Sequence, residues 1–116
     1  MGSYVEIART GDLRDGEKKK VAVKGLEIML ARVGGNYYGI GNRCAHMGGD
    51  LSMGTLEGKI ITCPRHGSQY DVTDGHNVRW MRGTGLAAAI GKVIKPPRPV
   101  PAYRVKIEGD AVLAEI

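Results

Sequence analysis

The sequence predicts an all-β protein built from antiparallel sheets. Two observations carry that expectation. Glycine supplies 18 of 116 residues while phenylalanine is absent and tryptophan occurs once, a composition suited to short strands and tight turns rather than long helices. Short β-rich runs also recur along the chain, separated by glycine-containing turns.

Taken in order, Tyr4-Val5-Glu6-Ile7-Ala8 alternates as a half-buried strand does. Lys20-Val21-Ala22-Val23 leads into a Lys24-Gly25 turn, and residues 26–33 form the next run. Gly34-Gly35-Asn36 then separates that run from Tyr37-Tyr38-Gly39-Ile40, a hairpin signal. Lys59-Ile60-Ile61-Thr62 reads as a further short strand. Near the C-terminus, residues 103–107, the turn Glu108-Gly109-Asp110 and residues 111–116 repeat the hairpin pattern. This spacing argues for a sandwich or barrel. One stretch differs: residues 86–94 place apolar side chains near i, i+4 and i+7/i+8, predicting one short helix. Gly91 lies inside it, and Pro96-Pro97-Arg98-Pro99 ends it in a stiff, extended loop.

The length fits one domain spanning residues 1–116. No apolar run approaches the roughly 20 residues needed to cross a bilayer, and Met1-Gly2-Ser3-Tyr4-Val5-Glu6 lacks the layout of a secretory signal. A cytoplasmic protein without a membrane partner is expected. The formal charge of +5 suits acidic partners but is modest for a nucleic-acid binder, and none is expected. Lys18, Lys19 and Lys20 read as a solvated loop or edge strand.

The chemistry concentrates in two segments, Cys44-Ala45-His46 and Cys63-Pro64-Arg65-His66. They hold both cysteines and two of the three histidines. In extended chain, residues two apart face the same side, so Cys44 and His46 can reach one centre. Pro64 stiffens the second segment into a turn that can present Cys63 and His66 together. Gly41, Gly48, Gly49 and Gly67 flank the segments and allow the backbone to approach a bulky inorganic group. Two thiolates and two imidazoles could hold a tetrahedral zinc or be divided between two irons. A zinc finger pairs Cys with Cys and His with His along the chain, whereas each segment here holds one of each.

The C-x-H…C-x-x-H pattern resembles the signature of Rieske [2Fe–2S] proteins. His46 is followed by Met47-Gly48-Gly49-Asp50-Leu51-Ser52-Met53-Gly54, similar to the family's His-x4-Leu-x2-Gly. The second segment continues as Gly67-Ser68-Gln69-Tyr70-Asp71-Val72-Thr73-Asp74-Gly75, similar to HGS-x-[FY]-D-x-x-x-G. The proline loop at 96–99 resembles the one covering the cluster in these proteins. The resemblance implies the Rieske fold, with a cluster-binding subdomain whose loops lie near 42–54 and 62–75. It also implies one [2Fe–2S] cluster with Cys44 and Cys63 on the inner iron and His46 and His66 on the outer.

Two ferric ions, two sulfides and two thiolates sum to zero, so the reduced centre would carry about −1 and accept an electron more readily than an all-cysteine centre. Proton loss from a coordinated imidazole of the oxidised centre should make the potential fall at alkaline pH. The positions of the disulfide found in high-potential members are Gly49 and Arg65 here, as in the soluble ferredoxins of ring-hydroxylating oxygenases. Ser68 and Tyr70 match the hydroxyl pair that tunes the cluster in that high-potential class; the alternative is that Ser68 satisfies loop backbone and Tyr70 packs.

The resemblance thus implies an electron carrier between a flavin or iron–sulfur reductase and an acceptor enzyme such as an oxygenase. The alternative is a non-catalytic iron–sulfur subunit or regulatory module of a larger reductase, similar to the small subunit of a nitrite reductase. A complete oxygenase would need two further histidines and a carboxylate for mononuclear iron, and only His76 remains, so the chain is no enzyme by itself. Trp80, Met81 and the apolar residues of 86–90 either form a docking surface or cover the core.

Overall fold

The computed structural model describes residues 3–45, 48–65, 67–79 and 98–116. Among them lie β1 (Tyr4–Arg9), β2 (Lys18–Val23), β3 (Leu26–Val33), β4 (Asn36–Gly41), β5 (Thr55–Glu57) and β6 (Ile60–Thr62). The remaining strands are β7 (Gln69–Asp71), β8 (Asn77–Arg79), β9 (Ala102–Tyr103), β10 (Val105–Glu108) and β11 (Ala111–Glu115). They form three antiparallel sheets in the orders β1-β11-β10, β2-β3-β4-β9 and β5-β6-β7-β8. The described helical structure is confined to short 3-10 segments at Thr10–Asp12 and Leu51–Met53. The all-β expectation holds. The short helix near 86–94, the Trp80–Met81 patch, and Pro96 and Pro97 lie outside the described residues.

Turn chemistry sets the pairing. Val23 pairs with Leu26 across Lys24 and Gly25, whose φ values are 49° and 77°. Val33 pairs with Asn36 across Gly34 and Gly35, at 59° and 81°. Two positive φ values are what a type I′ turn requires, and its twist matches that of the flanking strands. Gly58-Lys59 and Gly109-Asp110 have positive φ only at the glycine, the type II′ arrangement. Lys59 therefore belongs to a turn, and its strand begins at Ile60. The run at 103–107 also divides: β9 pairs with β4, while β10 joins β11 in another sheet.

β3 is the wall between two cores. Ile28, Met29, Leu30 and Ala31 are all fully buried, a continuous apolar run rather than an alternating one. Such a run marks a strand covered on both faces. Met29 and Ala31 join Ile40, Leu51, Ile61, Tyr70, Val72 and both cysteines on one side. Leu30 meets Ile7, Leu13, Val112 and Ala114 on the other. Lys18, Lys19 and Lys20 lie on β2, at the edge of its sheet; charged side chains there discourage pairing with other chains.

Candidate metal centre

Each cysteine opens a loop, and the two loops close alike. The Cys44 N–H donates to the Gly49 carbonyl at 2.8 Å, and the Gly48 N–H donates back to the Cys44 carbonyl at 2.8 Å. In the second loop the Cys63 N–H donates to the Ser68 carbonyl at 2.7 Å, and the Gly67 N–H donates to the Cys63 carbonyl at 3.2 Å. Gly48 and Gly67 occupy equivalent places at φ 72° and 76°, where a side chain would be strained. The two histidines stand at different distances from their cysteines, but the closing glycine follows four residues after the cysteine in both loops.

Both cysteines are buried against the apolar core shared with Leu51, Ile61 and Tyr70. The Tyr70 hydroxyl accepts the Ala45 N–H at 3.2 Å and lies 3.4 Å from Cys44 Sγ. Either group can donate in this contact; toward a thiolate, which has no proton, the hydroxyl is the donor. Ser68 is likewise fully buried. A Cβ added at Gly49 would stand 2.7 Å from Cys63 Sγ and 3.1 Å from Arg65 Cδ. The glycine thus keeps space open beside the second thiol, and the structure sets Gly49 and Arg65 against one another. His46 and His66 lie outside the described residues.

The loops rest on polar anchors. Asn42, fully buried, donates through Nδ2 to Asp50 at 2.9 Å and accepts the Ser52 N–H at 2.9 Å. Its backbone bonds to Glu27 and Leu51. Hydrogen bonds from Ser52 foremost, then Asn42 and Lys20, outweigh burial and hold the Asp50 carboxyl well below the usual carboxylate range. The Arg43 guanidinium grips Glu27 at 2.7 and 3.1 Å, and that hydrogen bond lowers the Glu27 pKa.

Beyond the second loop, burial pushes the Asp71 carboxyl up, but hydrogen bonds from Thr73 and Lys59 outweigh it and the pKa is lowered. His76 is exposed and hydrogen-bonded to Asp74 at 2.6 Å, in keeping with a surface side chain. The motif glycines have steric reasons. A Cβ at Gly54 would lie 2.0 Å from the Thr62 carbonyl oxygen, and one at Gly75 2.2 Å from that of Val100, where φ is 80°.

Sequence reasoning missed Asn42 and Arg79, and noted Asp50 only as part of a motif. The Asp50-x-Ser52 spacing is an Asx-turn signal that could have exposed Asp50. Asn42 resembles any polar residue near a turn. Arg79 carries no local signal, although it bonds the second loop from β8.

The model of the Rieske [2Fe-2S] domain matches residues 3–88. The ferredoxin component of the naphthalene 1,2-dioxygenase system of Pseudomonas putida is 32% identical over 113 residues, covering 97% of this chain and 95% of that protein. The ferredoxin of carbazole 1,9a-dioxygenase from Nocardioides aromaticivorans IC177 superposes with a TM-score of 0.79 at 28% identity, over 97% of this chain and 96% of that one. The same fold forms part of the terminal oxygenase of that system, with a TM-score of 0.84 at 26% identity, 99% of this chain matching 30% of the oxygenase chain. Among the described residues, no helix is long and apolar enough to cross a membrane. Paired cysteine loops on one core, the matched domain and full-length relatives agree: the chain belongs to the Rieske [2Fe–2S] family, and one cluster of that type is its cofactor.

Proposed function

We propose that the chain carries single electrons in the cytoplasm, from a flavin or iron–sulfur reductase to an acceptor enzyme such as an oxygenase. Cys44, His46, Cys63 and His66 hold its cluster within a single domain spanning residues 1–116. The observation that carries this reading is the pair of like-closed loops, each placing a buried cysteine on the same core. Relatives named as ferredoxin components of dioxygenase systems support an oxygenase as acceptor.

The residues fit the group. Thiolates are the ligands that iron–sulfur clusters select, and Gly49, having no side chain, puts no Cβ against Cys63 Sγ, where one would stand only 2.7 Å away. When bound, the cluster supplies one-electron chemistry at a potential raised by its two neutral imidazoles. Tyr70 holds a proton between its oxygen and Cys44 Sγ, drawing density from the sulfur and favouring the reduced state. Ser68 tunes the centre in the same sense. The apolar side chains of Leu51, Ile61 and Val72 exclude water from the sulfur side.

Anaerobic reconstitution with iron and sulfide tests this. The expected product is coloured, gives the paramagnetic signal of a mixed Cys/His [2Fe–2S] centre on reduction, and passes electrons from a reductase to an oxygenase. C44S, C63S, H46A and H66A should each lose that centre. Binding of one zinc per chain with no sulfide would overturn the reading.

A further inference from the structure

Arg79 stands on β8, outside the two loops, yet its side chain ends on one of them. Its Nε and Nη2 donate to the Gly67 carbonyl at 3.0 and 2.9 Å. Gly67 follows His66 in the chain, and its own N–H closes the loop onto Cys63.

The local backbone is built to aim this side chain. Gln69 pairs with Arg79 and Tyr70 with Asn77, so Val78 is one residue too many. The result is a β-bulge, a feature that re-aims neighbouring side chains. Asn77 fixes it, donating through Nδ2 to the Gln69 carbonyl at 3.1 Å and to the Arg79 carbonyl at 2.9 Å.

The charge is also uncompensated. All 12 acidic residues of the chain lie among the described residues, and none pairs with Arg79 within the 4.0 Å of an ion pair. By contrast Lys20, Arg43 and Lys59 each face a carboxylate. A partly buried guanidinium with a neutral carbonyl as partner keeps its field.

We infer that Arg79 is a positioning residue of the redox centre whose fixed positive charge, strapped to the second loop through Gly67, raises the reduction potential. Uptake of one electron from the reductase adds one negative charge at this end of the molecule. A nearby cation therefore stabilises the reduced state more than the oxidised one. The inference rests on the ligand set proposed above.

The test compares midpoint potentials of anaerobic holoprotein by optical redox titration in wild type, R79Q and R79K. Gln keeps a donor for Gly67 but no charge; Lys keeps the charge but not the fork. The reduction constant of R79Q should fall at least twofold, a tenfold fall being about 59 mV for one electron. R79K should fall less than half as far on the same logarithmic scale. A smaller fall in R79Q, or a fall in R79K of half or more of that in R79Q, overturns the inference. Should R79Q not retain its cluster, N77A decides: it releases the bulge but keeps the charge, so a lowered potential supports the inference and an unchanged one overturns it. Failure of wild type to show a Cys/His [2Fe–2S] spectrum would instead remove the ligand set, before any variant is compared.

Discussion

Adding one methyl group at Gly49 should unseat the cluster, whereas adding one at its neighbour Gly48 should not. The Gly49 Cβ would lie 2.7 Å from Cys63 Sγ, well short of the 3.4 Å at which ordinary contact begins, and would also press on Arg65 Cδ at 3.1 Å and Cγ at 3.2 Å. Overpacking of this kind costs about 1–3 kcal/mol. With Cys63 as the proposed ligand, displacement of its sulfur falls on cluster affinity, about a 5- to 150-fold loss. At Gly48 a Cβ meets nothing within 4 Å, and the cost is backbone strain at φ 72°, about 1–2 kcal/mol of global stability. The assay is iron and acid-labile sulfide per chain after anaerobic reconstitution, then decay of visible absorption in a chelator. G49A should be deficient in both and decay faster, while G48A should be fully loaded with a lower Tm. A fully loaded G49A decaying at the wild-type rate would refute the placement of the second thiol against Gly49.

Tyr70→Phe removes the proton donor to Cys44 Sγ, about 1 kcal/mol, and should lower the midpoint by ~40 mV for one electron; Ser68→Ala should lower it in the same direction, both read by redox titration. Asp50→Asn weakens bonds to Ser52 and Asn42 and removes the Lys20 pair, at a cost of about 1–3 kcal/mol. The sign of its pH dependence follows from a folded pKa depressed below 3.8: the stabilisation is present above that value and lost as pH falls below it. Wild-type Tm should thus fall more steeply than that of D50N below about pH 4. Gly54→Ala and Gly75→Ala drive a methyl into a backbone carbonyl and should each cost more than about 3 kcal/mol, seen as insoluble expression or a Tm lowered by more than 10 °C.

The hairpins were legible because glycine chemistry announces them. Lys24-Gly25, Gly34-Gly35 and Gly109-Asp110 bound runs of four or more residues, long enough for a pattern to emerge. β5, β7 and β8 were not, since three residues cannot display a period. β7 is a strand because Tyr70 buries itself beside the cysteines opposite Ile61 of β6, and β5 and β8 pair with that hairpin on either side. Both cysteines are buried on one core, and the two short segments that hold them were legible as motifs. What supports their loops did not: Asn42 and Arg79 act across 8 and 12 residues of chain, and such partners are set by tertiary packing rather than local pattern.

Gly49 and Arg65 occupy the places where the high-potential members, by resemblance, carry a disulfide. The structure sets these two residues against one another without a covalent link between them. A covalent tie would hold the loops at fixed separation independently of their surroundings. Here each loop is instead tied to its own sheet. The Asn42–Asp50–Lys20 network fastens the first loop to the sheet containing β2 and β3, and Arg79 fastens the second to β8. Ties of this kind depend on charge and hydrogen bonding, so both yield to neutral substitution, and the Asp50 tie yields to acid as well. They also place a cation beside one loop and a screened carboxylate beside the other. The same residues that hold the loops in position thereby set the field in which the electron is received.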